Sequence, residues 1–121
     1  MASSTINPNP LPMVTVALYA PTIDSNTPAV SIGSDVALTY DISAFRWLKV
    51  SFLRSKNTGA SYRGYVFVPV VNGAVDINTW DVYLGGKDYG GTVKLSASGT
   101  AINIAETSFS SLYLYRVIGV R

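Results

Sequence analysis

The stretch Ser111-Leu-Tyr-Leu-Tyr-Arg-Val-Ile-Gly-Val-Arg121 decides the fold class of this chain. Its side chains alternate between two faces of a predicted strand: Leu112, Leu114, Ile118 and Val120 on one, Tyr113, Tyr115 and Val117 on the other. Only Arg116 interrupts the first face. A strand that is apolar on both faces has to be covered on both. We therefore predict that residues 112–120 form the closing strand of an all-β domain, with a second copy of the chain or another neighbouring protein over the second face.

The composition fits one domain with a weakly charged surface. The chain has 121 residues, of which 48% are hydrophobic and 13% charged. Such a surface loses little hydration when it is buried against another subunit. The net charge of +2 is too small and scattered for a nucleic-acid footprint. No apolar run reaches the roughly 18 residues of a membrane span, so neither nucleic acid nor membrane insertion is expected.

Strand patterns recur along the rest of the chain at intervals of about ten residues. They cover residues 14–19, 35–40, 45–54, 62–71, 79–84, 92–97 and 100–105. Ser98-Gly99 is a two-residue hairpin signal. About eight short strands predict a jelly-roll-like antiparallel β-sandwich over residues 13–121. Residues 1–12 hold three closely spaced prolines and are expected to form an extended arm.

The chemistry available to the chain is limited because it contains no histidine and no cysteine. This excludes an imidazole base, a Ser-His-Asp triad and thiolate chemistry. Asp76 paired with Asp81 or Asp88 is the carboxylate pair considered for glycoside cleavage, and Asp76, Asn78 and Asp81 are the residues considered for a calcium site. However, Asp in such turns commonly caps the local backbone. Gly85-Gly86-Lys87 does not fit a phosphate-binding loop. We expect no enzyme activity and assign no catalytic, cofactor-binding or metal-binding residue.

Five aromatic residues would share the second face if the three central strands lie in one sheet. They are Trp47, Tyr65, Phe67, Tyr113 and Tyr115. A subunit interface is the favoured interpretation, since interfaces are enriched in aromatic residues and depleted of charge. A shared sandwich core ranks second. A carbohydrate platform, on which the rings stack against sugars, ranks third.

Two loops are candidates for binding a partner. They span residues 55–61 and 85–91 and carry Lys56, Asn57, Lys87, Asp88 and Tyr89. Tyr and Gly with a few charged residues is a composition used by adaptable recognition loops. A mobile connection without a binding role is the alternative for the glycine-rich loop.

The second half of the chain resembles the structural proteins of tailed phages. The resemblance is carried by Val93-Lys-Leu-Ser-Ala-Ser-Gly-Thr-Ala-Ile-Asn-Ile104 and the final Leu112–Arg121, which close a chain as many tail-fibre tips do. Phe45-Arg-Trp-Leu-Lys-Val-Ser-Phe52 and Gly64-Tyr-Val-Phe-Val-Pro69 also suit that group. It implies location in the virion and a homo-oligomer, typically a trimer of β-sandwiches. A fibre protein normally has a shaft before its tip, so an excised tip and a complete small gene product both stay open.

The function expected from this resemblance is a non-enzymatic, oligomeric tail-fibre or tail-tip component that attaches the phage to its host. The proline-rich arm would contact other virion proteins, and the distal loops would contact a host surface glycan or protein. Two alternatives remain: a capsid decoration protein that stabilises the head, and, from another class, a carbohydrate-binding lectin-like module.

Overall fold

The computed structural model describes residues 14–21, 30–54, 63–75, 78–85 and 90–121. Within these ranges the chain forms ten β-strands and one short 3-10 turn, Ile42–Ala44, but no α-helix. The strands are β1 (Thr15–Tyr19), β2 (Val30–Ser31), β3 (Val36–Ala37), β4 (Trp47–Leu53), β5 (Arg63–Val71), β6 (Ala74–Val75), β7 (Thr79–Tyr83), β8 (Gly90–Ser98), β9 (Ala101–Thr107) and β10 (Tyr113–Val120). Every pairing between them is antiparallel. The prediction of an all-β fold is confirmed.

The described part of the chain has ten strands, where the sequence predicts about eight. The difference lies in β2 and β6, which are only two residues long and too short for alternation to reveal them. Strand β3, also two residues long, falls within the predicted strand at residues 35–40. The finer prediction of a jelly-roll-like sandwich over residues 13–121 stays a prediction. The predicted arm, residues 1–12, lies outside the described residues.

The C-terminal strand β10 lies inside the sheet, with β1 and β2 on one side and β4 on the other. Its register with β4 shifts between Leu114 and Arg116, which places a β-bulge at Tyr115. A bulge adds one residue, and the side chains beyond it exchange faces. Leu114 and Val117 therefore both point into the core, although they are three positions apart, a spacing that would place them on opposite faces of a regular strand.

The bulge corrects the strict alternation that the C-terminal stretch predicts. Val117 was expected on the second face but is fully buried in the core, whereas Ile118 lies opposite Lys49 on the outward side. Arg116, the residue that interrupted the predicted core face, is exposed. The physical advantage is clear, because a guanidinium buried among apolar side chains without a partner is strongly unfavourable.

The sheet curls into a nearly closed barrel. Neighbouring strands follow the order β1-β10-β4-β5-β6-β8-β9-β3. Strand β5 connects the part of the sheet that contains β4 and β10 with the part that contains β6, β8 and β9. Residues of β5 up to Pro69 pair with β4, and residues 70–71 pair with β6. Thr39, two residues beyond β3, donates from its N–H to the carbonyl of Leu18 (3.0 Å) and from its hydroxyl to the carbonyl of Ala17 (3.1 Å). These two bonds join the two ends of this strand order.

The hairpin of β8 and β9 supplies one wall of the core, as its alternation predicts. The buried side chains of this wall are Val93, Leu95, Ala97, Ile102 and Ile104. The turn falls on Gly99 and Thr100, one residue later than the predicted position, because Ser98 pairs with Ala101. Gly99 has a φ of +60°, a left-handed conformation that glycine adopts without steric cost.

Candidate functional site

One face of the sheet formed by β4, β5 and β10 points away from the core. It is defined by the side chains that alternate with buried core residues along these strands, and we call it the outer face. Its members are Trp47, Lys49, Ser51 and Leu53 of β4, Tyr65 and Phe67 of β5, and Tyr113, Arg116, Ile118 and Val120 of β10. In register, Lys49 lies between Phe67 on one neighbouring strand and Ile118 on the other.

The aromatic residues predicted to form a subunit interface lie on this side of the sheet. Trp47, Tyr65 and Phe67 are 44%, 55% and 45% exposed, respectively. Tyr113 and Tyr115 are half-buried. Three large rings on one face of a single chain thus remain in contact with water. Their role in an interface stays a prediction, since the structure contains one chain.

The exposed rings contact one another and a lysine. Tyr65 and Phe67 meet edge to face, with ring centroids 5.6 Å apart and planes at 85°, a favoured aromatic geometry. The Lys49 ammonium nitrogen lies 4.3 Å from the Tyr65 ring centroid and 6.0 Å from that of Phe67. At these distances the positive charge is attracted to the negative ring faces. These contacts hold the side chains of Lys49, Tyr65 and Phe67 against one another in the middle of the outer face without a second subunit.

The end of the outer face near Leu53 is covered by the chain itself. Leu53 is only 1% exposed, although it points away from the core, and it lies in register between Arg63 and Tyr113. The Arg63 guanidinium carbon is 5.4 Å from the ring centroid of Tyr115. These long side chains shield the apolar strand surface while their polar ends reach water. Toward the opposite end of the outer face, Trp47, Tyr65 and Phe67 remain exposed in the described part of the chain.

Next to this covered end lies a cleft of about 530 Å³. We call it the tyrosine cleft; its lining residues are Arg63, Gly64, Tyr65, Asp81, Tyr83 and Tyr115. They come from β5, β7 and the bulge of β10. Tyr65 and Tyr83 are each 55% exposed, and Asp81 is also exposed. The cleft thus combines aromatic surface with one positive and one negative group.

Gly64 brings the two strands that form the cleft together. A Cβ at this position would collide with the backbone oxygen of Tyr83, so β7 approaches β5 closely because residue 64 has no side chain. The Gly85 N–H donates to the carbonyl of Arg63 at 2.9 Å and fixes the same approach. A further glycine, Gly90, leaves room for the Tyr83 ring. The walls of the cleft are therefore set by backbone contacts.

Sequence reasoning found only part of this cleft. The sequence predicts an interface role for Tyr65, and Asp81 is one of the carboxylates considered for glycoside cleavage. Tyr83 was missed altogether. The one signal in the sequence is Gly64, since an isolated glycine within a strand pattern indicates a bulge or a close backbone approach.

A second, smaller cleft of about 230 Å³ is lined by polar residues of β7, β8 and β9 and the residue that follows. Its groups already bind one another. The Thr107 hydroxyl donates to the carbonyl of Thr92 at 2.8 Å, and the Thr92 N–H donates to the hydroxyl of Ser108 at 2.8 Å. Lys94 and Glu106 form an ion pair at 3.4 Å. Because most of its polar lining residues already interact with one another and no aromatic residue lines it, this cleft is a weaker candidate for ligand binding.

Several predicted positions fall outside the described residues. They are Lys56, Asn57, Asp76, Lys87, Asp88 and Tyr89. The carboxylate pair and the calcium site therefore lie partly outside the described residues, whereas Asp81 lines the tyrosine cleft. No group of three or more acidic residues that could hold a metal ion occurs in the described part. In the chain order, Arg63 follows closely on loop 55–61, and Tyr83 comes shortly before loop 85–91.

The comparisons with known proteins do not identify a relative. No protein-family model matches the sequence, and the search of curated proteins found no match. No helix among the described residues is long and apolar enough to cross a membrane.

Proposed function

We propose that this chain is a non-enzymatic structural protein of a tailed-phage virion, and that it acts as a homo-oligomeric tail-fibre or tail-tip component in host attachment. Its barrel would be a jelly-roll-like sandwich, and residues 1–12 an arm that binds other virion proteins. The C-terminal resemblance supports the viral assignment. The observation that supports assembly is the exposure of Trp47, Tyr65 and Phe67 on one face of the sheet.

The outer face has the composition of a subunit interface. Its exposed end carries Trp47 and Phe67 together with apolar residues of β10, and Lys49 is held against the rings. Aromatic residues are enriched in interfaces, and charged residues are depleted from their buried centres. An exposed apolar patch of this kind on a soluble protein marks an interaction site. A second copy that covers the patch removes the rings from water.

A measurement of mass in solution tests the assembly. We expect the wild-type chain to sediment as a trimer at micromolar concentration. The double variant Trp47→Ser/Phe67→Ser should shift it to monomer, because both changes remove apolar area from the exposed end of the outer face. Tyr40→Ser is the matched control, since Tyr40 is 59% exposed but lies in the segment between β3 and β4 and not on a strand of the outer face. A wild-type monomer at micromolar concentration contradicts the assembly proposal.

Labelled electron microscopy of particles tests the place of the protein. Label at the tail tip supports the attachment role. Label over the head instead assigns the protein to capsid decoration and overturns the tail proposal.

A further inference from the structure

We propose that the tyrosine cleft binds a neutral pyranose unit of a glycan. This inference rests on the proposed attachment role for its biological meaning and deepens it by naming the ligand class and the residues that contact it. The contact surface consists of Tyr65, Tyr83 and Tyr115, with Arg63 and Asp81 as the polar groups.

The tyrosine rings supply the apolar part of the site. Tyr65 and Tyr83 are both more than half exposed, and Tyr115 is half-buried beneath the Arg63 guanidinium. An aromatic ring has a negative face. A pyranose presents weakly positive C–H groups on its ring faces and hydroxyl groups around its rim. It can therefore pack its C–H face against a tyrosine ring while its hydroxyls remain available to polar groups.

The charged residues of the cleft suit hydroxyl groups and select against a charged sugar. An aspartate accepts hydrogen bonds from two hydroxyls, and an arginine edge donates to hydroxyl oxygens. Arg63 lies against Tyr115, and no ion pair joins it to Asp81 in the described part of the chain. The carboxylate therefore keeps its accepting capacity. One positive and one negative group also leave no net charge to attract an anionic sugar, and Asp81 repels a sugar carboxylate.

The size and construction of the cleft fit a preformed small-molecule site. Its volume of about 530 Å³ falls within the range of roughly 300–1,000 Å³ that ligand sites occupy. The contact of Gly64 with the Tyr83 backbone and the hydrogen bond from Gly85 to Arg63 hold its two main strands together. A site whose walls are strands fixed within the sheet loses little conformational entropy when a ligand binds.

A single open cleft of this kind is expected to bind weakly, with a dissociation constant on the order of millimolar, about the affinity that a few hydrogen bonds and one stacked ring provide. A homo-oligomer would present several copies to a polysaccharide with repeating units. Linked sites of this kind can gain roughly 100-fold or more in apparent affinity. Weak single contacts are thus compatible with firm attachment.

The test uses the full chain and a panel of methyl pyranosides of glucose, galactose, mannose, rhamnose and N-acetylglucosamine at about 10 mM, a concentration that detects millimolar binding. Saturation-transfer NMR reports which sugar protons contact the protein. We expect at least one neutral pyranoside to bind and its signal to fall at least about fivefold in both Tyr83→Ser and Asp81→Asn. Glu106→Gln is the matched control, since Glu106 is an exposed carboxylate of the other cleft, and it should bind like the wild type.

The panel also contains N-acetylneuraminate and methyl glucuronide as anionic probes. Three results overturn the proposal: no neutral pyranoside binds the folded wild type, only the anionic sugars bind, or the signal persists in both cleft variants. Circular dichroism confirms that each variant is folded. Tyr83 and Asp81 do not belong to the outer face, and the sedimentation of their variants should be unchanged. Failure of sugar binding is thereby distinguished from failure of assembly.

Discussion

Substitution of Gly119 by alanine tests the packing of the C-terminal strand directly. Gly119 lies in β10 opposite Leu48, and it is buried. A Cβ placed there would lie 2.6 Å from Cδ1 and 2.7 Å from Cγ of Phe45. Both atoms belong to the rigid phenyl ring, which cannot bend away as the end of a long flexible side chain could. Ordinary van der Waals contacts begin near 3.4 Å. The ring therefore has to move by several tenths of an ångström within a close-packed core.

The expected cost follows from two opposing effects. Overpacking a core by one methyl group destabilises by about 1–3 kcal/mol. Alanine also restricts the unfolded chain, which returns about 0.4–1 kcal/mol, because Gly119 does not have a positive φ. The net expectation is a loss of about 1–2 kcal/mol in the free energy of unfolding. For a chain of this size that corresponds to a fall of roughly 4–8 °C in Tm.

Urea denaturation followed by tryptophan fluorescence measures the effect, at one fixed protein concentration because assembly would shift the midpoint. Phe45→Leu removes the clashing ring, so the double variant Gly119→Ala/Phe45→Leu should be more stable than the two single losses predict, with a coupling of about 1–2 kcal/mol. Gly99→Ala is the control. Its Cβ meets nothing within 4 Å and its φ is +60°, and Phe45→Leu should not rescue it. Additivity within about 0.5 kcal/mol at Gly119 would refute the packing explanation.

Three further predictions concern other parts of the barrel. Gly64→Ala should lower the free energy of unfolding by at least about 2 kcal/mol in urea titration, because a backbone oxygen of Tyr83 blocks the added Cβ; a neutral effect would contradict the close approach of β5 and β7. The pKa of Asp41 is lowered because its carboxylate accepts a hydrogen bond from the Ser43 N–H at 2.9 Å. The ionised carboxylate therefore stabilises the folded state above pH 3.8, and this stabilisation is lost as the pH falls through the lower pKa of the folded state. The Tm difference between wild type and Asp41→Ala should be constant from about pH 7 to 5 and shrink in acid. Burial raises the pKa of Tyr19 above 10.0. The free energy of unfolding gained from the neutral side chain is therefore fully present below that pH and falls as the pH rises through the higher pKa of the folded state. Tyr19→Phe should reduce the drop in urea midpoint between about pH 9 and 11, and an equal drop in both proteins would contradict this explanation.

The longer strands of this barrel are predictable from alternation, but which residues of the last strand face the core is not. Val117 and Ile118 are both β-branched and apolar, so nothing in their side chains indicates which one faces inward. The choice is made by pairing with β4, where the bulge at Tyr115 turns Arg116 outward and Val117 inward. Two-sided apolarity is what hides the bulge, because a one-sided strand would show a visible break in its pattern.

The candidate site was only partly predictable for a related reason. The outer face consists of alternate residues on three long strands, so alternation places Trp47, Tyr65 and Phe67 on the same side. The tyrosine cleft instead depends on contact between β5 and the end of β7, two segments that the chain does not join by a tight turn. In the sequence, Gly64 indicates that another segment of backbone approaches β5 closely, but it does not identify that segment as β7.

Tyr65 belongs to both surfaces, and this links the two proposals physically. One part of its environment is Phe67 and Lys49 on the outer face, and another is the cleft with Tyr83 and Arg63. A subunit that covered the whole outer face, Tyr65 included, would also change the wall of the cleft. A subunit confined to the Trp47–Phe67 end would leave the cleft open to a glycan. If both proposals hold, the interface must therefore stop short of Tyr83, and the cleft must open at the edge of the assembled surface. Pyranoside binding that is equal in the wild type and in the monomeric Trp47→Ser/Phe67→Ser variant supports this arrangement, whereas binding that is several-fold weaker in the assembled wild type than in that variant would show that the interface extends over Tyr65 and narrows the cleft.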